Sequence, residues 1–287
     1  MNKRVLDSML VLGVNLISLG LGLLPYPWMV QAGIHPFLAA LISDVTATVL
    51  VYLAGLLLKT PSAYDPYWSL QTIAIYGTMI IYNRNFTWWQ LLIFVPLLYY
   101  SCRLTIHFFG TFHGLDYIDW RYANFKEAYP KAFPLISLFG IHMFPTLVVF
   151  GASLPILAIA FQSEFTPFAI VSCVLADGAV TLSLIADLQM KHSRKNRKSN
   201  EEVNAAGLWQ FSRHPNYLGE ISFWWAFLFL LFALPNYWWM CFGAVIVLAL
   251  FLFYSIPAIE KRMIVRKPGY LEYKKHVSML LLLPPRK

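Results

Sequence analysis

The chain has 287 residues, of which 59% are hydrophobic, 17% aromatic and only 13% charged, with a mean hydropathy of +0.58. Soluble domains carry roughly 25% charged residues, so this composition excludes an ordinary soluble enzyme and marks a membrane protein. The net charge of +8 needs no nucleic-acid partner, because membrane topology and anionic lipid account for it.

A crossing helix needs roughly 17–25 mostly apolar residues. In chain order such runs are predicted at about 8–30, 36–58, 86–109, 134–161, 166–188 and 236–258, with two shorter ones at about 67–82 and 219–234. The start, MNKRVLDSMLVLGVNL, has the basic head and apolar body of a signal peptide, but its long run and the spans behind it favour a retained first helix. If all eight cross, both termini share a side with Lys59 and with residues 110–133, 191–218 and 259–287. Of the 22 Lys and Arg, only Arg84 then falls opposite. The positive-inside rule makes the shared side cytoplasmic, whereas seven crossings would put the N-terminus outside despite Lys3 and Arg4. The expected fold is an all-α, polytopic integral membrane bundle of seven to eight helices, forming one domain over residues 1–287.

Polar residues gather in HGLDYIDWRYANFKEAYPK (His113 to Lys131), in the stretch from Asp187 to Glu220, and in IEKRMIVRKPGYLEYKKH (Ile259 to His276). These three segments are expected to converge over one cytosol-facing mouth. The glycine cluster GLGLLP from Gly20 lacks the third glycine and the strand–turn–helix setting of a Rossmann fingerprint. There is no P-loop. The three cysteines, Cys102, Cys173 and Cys241, are far apart and without metal spacing, and the seven histidines form no HxxxH or HxxH pair. No metal is expected.

Arg103 sits near the end of a span, where it either snorkels to the headgroups or partners a carboxylate or anion inside the bundle. Tyr100, three residues earlier, shares its helical face; a phenol beside a guanidinium can act as a proton donor, or can belong to an interfacial aromatic belt. Asp187, Lys191 and Arg194 also share a face. They read as a salt-bridged helix end or as a polyanion site, with cations for phosphates and the carboxylate for a ribose hydroxyl. In SRHPNYLGE, Pro215 suits a first helical turn and Ser212 or Asn216 can cap it. Capping does not require Arg213, His214, Asn216, Tyr217 and Glu220 together, and the Asn216 amide can hydrogen-bond a ligand's carboxamide. Glu260, Arg262, Tyr270, Tyr273 and Lys274 follow the last span as a solvated tail or as a cover over a flat or phosphorylated ligand.

The run GLWQFSRHPNYLGE, followed by a long span and then IEKRMIVRKPGYLEYKKH, resembles the C-terminal part of the steroid 5α-reductase family, and most closely its bacterial-type branch known as DUF1295. YDPYWS (Tyr64 to Ser69), CRLT (Cys102 to Thr105), DWRY (Asp119 to Tyr122), FGIHMFP (Phe139 to Pro145) and ADLQ (Ala186 to Gln189) fit the same branch. The resemblance covers residues 61–287 and leaves 1–60 as N-terminal helices. It implies an integral membrane reductase that binds NADPH in a cavity open to the cytosol, without a Rossmann domain.

On this resemblance Asp187, Arg194, Asn216 and Glu220 match cofactor contacts. Arg213, His214 and Tyr217 in the same loop join them, as do Lys191, Tyr270, Tyr273 and Lys274. Tyr100 and Arg103 match a Tyr-x-x-Arg pair whose tyrosine helps bind a ketone and supply a proton, with Arg103 placed toward the cofactor. Steroid-acting members carry a Gln-Glu pair. Here Gln71 takes the Gln position but Thr72 the Glu position, which leaves Asp65 or Gln71 to share the role and puts a steroid substrate in question. The implied reaction moves hydride to a C=C conjugated to a carbonyl, in a lipophilic, steroid- or isoprenoid-like substrate arriving from the bilayer of a bacterial plasma membrane. The rival is an S-adenosylmethionine-dependent methyltransferase of the isoprenylcysteine or lipid type, which shares RHPxYxG and the acidic-aromatic tail. Asn216 favours the nicotinamide reading, because an aliphatic residue is usual there in the methyltransferases. A non-catalytic lipid-binding protein would bind neither cofactor.

Overall fold

A computed structural model describes residues 2–83, 87–197, 199 and 201–286. Among them every named element is helical, and the one β-bridge joins Ser212 to Ser278. Among the described residues seven helices are long and apolar enough to cross a membrane: Lys3–Gln31, Pro36–Leu57, Trp88–Thr111, Phe133–Ile159, Pro167–Asn196, Pro215–Ala233 and Pro235–Arg266. The remaining short run forms the helix Tyr67–Asn83, 17 residues long and about 26 Å at 1.5 Å per residue. Arg84, on which the orientation argument turns, lies outside the described residues.

The chain divides into two compact units, one ending at Phe165 and one beginning at Thr166. The first contains α1 (Lys3–Leu23), α2 (Pro36–Leu57), α3 (Tyr67–Asn83), α4 (Phe94–Thr111), α5 (Trp120–Ala128) and α6 (Phe144–Ile159). Their starts follow from local chemistry. Asn2 and Asp119 accept hydrogen bonds from the first-turn amides of α1 and α5, and Pro36 occupies the first position of α2, where its missing N–H removes no helical bond. Small residues let α1 and α2 approach closely: a side chain on Gly22 would meet the Ala47 Cβ at 2.6 Å and the Ser43 carbonyl at 2.7 Å. Between helices α5 and α6, residues Ser137–Met143 form a π-helical turn.

The second unit contains α7 (Pro167–Asn196), α8 (Pro215–Ala226), α9 (Cys241–Leu250), α10 (Ile256–Arg266) and α11 (Tyr270–His276). Helix α8 continues as a 3₁₀ segment to Ala233, and a π-helical turn, Phe251–Ser255, connects α9 to α10. The first turns of α8 lie directly on α7. The ideal Cβ position at Gly219 falls 2.1 Å from Ser183 Oγ and 2.5 Å from the Ala179 carbonyl, and Ser183 Oγ donates to the Asn216 carbonyl at 2.9 Å. In apolar surroundings such small-residue contacts replace the hydrophobic effect as the source of helix association. Large side chains such as Leu57, Ile106, Val174 and Phe253 stay exposed, as lipid-facing positions do.

Gly219→Ala puts a methyl group where Ser183 and the α7 backbone already stand. We expect it to destabilise the protein by about 1–3 kcal/mol through overpacking, read as a lowered Tm in detergent; an unchanged Tm would show that α7 and α8 are not in this contact.

Candidate functional site

In the second unit the loop before α8 is pinned from two sides. On one side, Leu208 N donates to Gln189 Oε1 at 2.8 Å and Trp209 Nε1 to the Ala186 carbonyl at 3.0 Å. The segments around Asp187 and Asn216, both singled out in the sequence, are thereby brought together. On the other side, Arg213 N donates to the Ser278 carbonyl at 2.8 Å, and Ser212 Oγ donates to the Leu280 carbonyl at 2.7 Å.

The centre of this second attachment is Glu260 on α10. Its Oε1 accepts from Arg213 Nε at 2.7 Å and lies 3.2 Å from His214 Nε2, while Lys274 Nζ sits 2.6 Å from Oε2. Arg213 Nη1 also donates to the carbonyls of Lys274 and Val277. Arg213, His214 and Glu260 are all buried. Burial holds His214 below the usual histidine range, against the opposing pull of Glu260. Three sequence-predicted site residues, Arg213, His214 and Lys274, therefore meet at one carboxylate, and Arg213 and Lys274 spend charge on it that a phosphate would otherwise receive.

Around the cluster stand the aromatic residues. The Tyr217 ring stacks on His214 with centroids 5.3 Å apart and planes 7° from parallel, and packs on Phe251 at 4.9 Å. Tyr273 donates to the Trp209 carbonyl and lies 5.7 Å from Tyr270. Burial raises the phenols of both Tyr270 and Tyr273, so neither ionises near neutrality. Glu220 is buried, one turn beyond Asn216. Asn216 is half-buried, and its Oδ1 is enclosed without a hydrogen-bond partner among the described residues. A buried acceptor left unpaired is costly, and this one stands at the first turn of α8.

Asp187 is half-buried, whereas Lys191 and Arg194 are exposed. A cavity of about 550 Å³ opens on α7, lined by Gln189, His192, Ser193, Asn196, Arg197 and Asn204 among others. At 100° per residue these α7 positions occupy the face opposite Asp187, Lys191 and Arg194. Lys267 lies near this end of α7: burial, then the charges of Arg197 and Arg194, hold its amine below the usual range.

In the first unit Tyr100 is buried and meets Trp68 edge-on at 6.3 Å; Ser101 Oγ donates to the Ser69 carbonyl at 2.6 Å. Ser69 Oγ also lies 3.2 Å from Thr105 Oγ1, so the CRLT and YDPYWS segments are neighbours, and Arg103, within CRLT on α4, is buried. Asp65 joins the latter segment to DWRY: it accepts from the Tyr122 hydroxyl, while Arg121 pairs with Asp119 at 2.8 Å and lies over the Tyr122 ring. Burial pushes the Asp65 carboxyl up to about 6, against the pull of Arg121 and Tyr122.

Gln71 is fully buried and donates to Asp44 Oδ2 and to the Thr146 carbonyl, both at 3.1 Å. Asp44 Oδ1 accepts from Tyr67 at 2.7 Å. Asp44 escaped the sequence reading although it is the only acidic residue in the run predicted at 36–58. An ionisable residue at mid-span is the signal that would have found it. Glu260, noted in the sequence without a role, is the second residue whose importance only the geometry brings out. Among the described residues no three His, Cys, Asp or Glu side chains are grouped to hold a metal ion.

Residues 51–277 match the family described as "Protein of unknown function (DUF1295)", and the chain belongs to that family. No curated protein and no solved structure matches it.

Glu260→Gln leaves the buried Arg213 guanidinium without its counter-charge, a change expected to cost about 3–5 kcal/mol, visible as a large fall in Tm; a shift within error would mean that the cluster is solvated. For Asp65, a folded-state value near 6 lies above the ordinary carboxylate value of 3.8. Its contribution to stability is then complete below about pH 4 and is lost as pH rises through about 6. The Tm of Asp65→Asn should therefore gain on the wild type between pH 4.5 and 7.5, and parallel curves would contradict the assignment.

Proposed function

We propose that this protein is an NADPH-dependent membrane reductase that saturates a C=C conjugated to a carbonyl in a lipophilic substrate. The observation that carries the reading is Asn216. Its enclosed, unpartnered Oδ1 fits the N–H of a nicotinamide carboxamide, and the side-chain amide can return a donor to the same group. The methyltransferases usually carry an aliphatic residue at this position, which favours hydride over methyl transfer. The resemblance to the steroid 5α-reductase family, of which membership in DUF1295 is the part established above, points the same way.

NADPH, when bound, supplies the hydride. The protein's own work is to hold, orient and move a proton. Asn216 fixes the carboxamide, Tyr217 and Tyr270 offer flat faces beside it, and Glu220 and Asp187 accept from ribose hydroxyls. Exposed Lys191 and Arg194 remain available to phosphate, whereas Arg213, His214 and Lys274 serve through the Glu260 cluster that sets the loop. Tyr100 donates to the carbonyl oxygen as negative charge develops there, and Arg103 supports its acidity. Gln71 and Asp65 shape the polar end of the substrate site.

This reading takes Tyr67–Asn83 as an eighth crossing, with both termini and the Asp187 and Asn216 segments on the cytoplasmic side, where NADPH is available. The apolar exterior gives a lipid substrate direct access from the bilayer, and a bacterial plasma membrane is the proposed location.

The test is thermal stability of the detergent-purified protein with NADPH, NADH and S-adenosylmethionine, because a ligand of the native state stabilises it as RT ln(1 + [L]/Kd). NADPH should raise Tm in the wild type and not in Asn216→Leu. Stabilisation by S-adenosylmethionine alone would overturn the reading in favour of methyl transfer. Tyr100→Phe should keep NADPH binding and lose turnover by about 10²–10⁴-fold, and full activity would place the proton donor elsewhere.

A further inference from the structure

We infer that residues 279–283, beyond the last crossing helix, form a lipid-docking element: their apolar side chains enter the interfacial layer of an anionic leaflet, and the flanking cations meet its phosphates. The inference does not rest on the reductase reading.

The sequence poses the problem. VSMLLLLPPRK, Val277 to Lys287, sets five apolar residues in a row behind the charged helix Tyr270–His276. Fully extended, five residues reach about 17 Å, well short of the roughly 30 Å hydrocarbon core, so the run does not cross. Nor does the fold bury it. Met279, Leu281, Leu282 and Leu283 are exposed. Three consecutive leucines lie outside because Leu283 N turns back to the Leu281 carbonyl at 3.0 Å, which breaks the alternation of a strand.

A loose tail could fold its leucines away, but this one is held. Arg213 N donates to the Ser278 carbonyl at 2.8 Å, Ser212 Oγ to the Leu280 carbonyl at 2.7 Å and Leu283 N to the Phe211 carbonyl at 3.2 Å. Further on, Arg286 N donates to the His276 carbonyl at 2.8 Å. Apolar side chains fixed in water are unfavourable, and a contiguous patch of them marks a surface that something covers.

The same bonds set its depth. Residues 211–213 stand just before Pro215, the first residue of a helix long and apolar enough to cross. Trp209, in the same loop, donates to the carbonyl of Ala186, the last apolar position of α7 before Asp187. Both markers put the tail where apolar helix surface gives way to polar. The polar layer of a bilayer adds roughly 5–7 Å on each side of the core, and paired chains run about 4.8 Å apart, so a tail bonded to this loop is within reach of that layer. Pro284 and Pro285 follow, and they have no N–H groups to leave unpaired there.

Charge names the occupant. Residues 270–287 carry Lys274, Lys275, Arg286 and Lys287 against one acid, Glu272. That acid is already engaged by Lys275 and His276, both at 2.8 Å. An anionic leaflet complements a positive segment beside an apolar patch, whereas a second copy of this chain would bring the same charge to the contact.

The test uses the full chain, one copy per lipid nanodisc. In a background carrying Cys102→Ser, Cys173→Ala and Cys241→Ala, a nitroxide is attached at Leu282→Cys. Val174→Cys, exposed on the apolar part of α7, serves as the lipid reference, and Glu201→Cys, exposed in the loop after α7, as the aqueous one. Power saturation should show oxygen reaching the Leu282 label more than a water-soluble nickel chelate does, as at Val174 and opposite to Glu201. The excess should grow from phosphatidylcholine discs to discs half phosphatidylglycerol. A label as open to the chelate as at Glu201, or closed to both reagents as under a protein partner, would overturn the inference, and equal excess in the two lipids would overturn the anionic assignment. Should the cysteine-free background not fold, the unmodified chain decides: phosphatidylglycerol with a diazirine on its acyl chain should cross-link within the tryptic peptide 276–286, and no cross-link there would contradict the docking.

Discussion

A carboxylate cannot be buried cheaply, and Glu260 is buried. Removing an ion from water costs several kcal/mol even after relaxation, so the fold must bring compensating charge to it from elsewhere in the chain. It does so with Arg213 and His214 from the loop before α8 and Lys274 from α11. The Arg213 and His214 contacts fix where that loop ends, and therefore where α8 presents Asn216, Tyr217 and Glu220. An electrostatic requirement on α10 thus becomes the geometry of a candidate ligand site on α8. Gly219 completes it from the other side, because only a residue without a side chain lets the first turns of α8 rest on Ser183 and Ala179.

The first unit answers the same constraint in another way. Asp44 is met by neutral donors, Tyr67 and Gln71, which consumes the glutamine's hydrogens and leaves its oxygen as the remaining polarity. Asp65 is met by the Tyr122 hydroxyl with Arg121 nearby. Each buried acid converts its own need for hydrogen bonds into the orientation of a neighbouring group.

Much of this was legible in the sequence. Long apolar runs between charged segments marked the crossing helices, since a bilayer tolerates few alternatives to a hydrogen-bonded helix. The short run at 67–82 proved to be the helix Tyr67–Asn83. Other boundaries moved for local reasons: α8 starts at Pro215 because proline suits a first turn, and the last span runs to Arg266 through charged residues that hydropathy alone would exclude. The grouping of SRHPNY with the tail after Ile259 was visible as clustered polarity. Its organisation around Glu260 was not, because Arg213 and Glu260 are 47 residues apart and no periodicity links them. Asp44 was missed for the same reason, since its partner Gln71 stands on another helix. The shared face of Asp187, Lys191 and Arg194 was legible as a helical face, but the cavity on α7 opens on the opposite one, which only the folding-back of the loop up to Gly207 determines.

Hydride transfer leaves a mark that can be read before the substrate is identified. Purified protein incubated with a total lipid extract and NADPH deuterated at both C4 positions of the nicotinamide should place one deuterium in a lipid, with a second, unlabelled hydrogen taken from water and NADP⁺ formed in equal amount. Asn216→Leu should abolish the label. Absence of deuterium from every lipid, together with transfer of a deuterated methyl group from S-adenosylmethionine in the parallel reaction, would contradict the account.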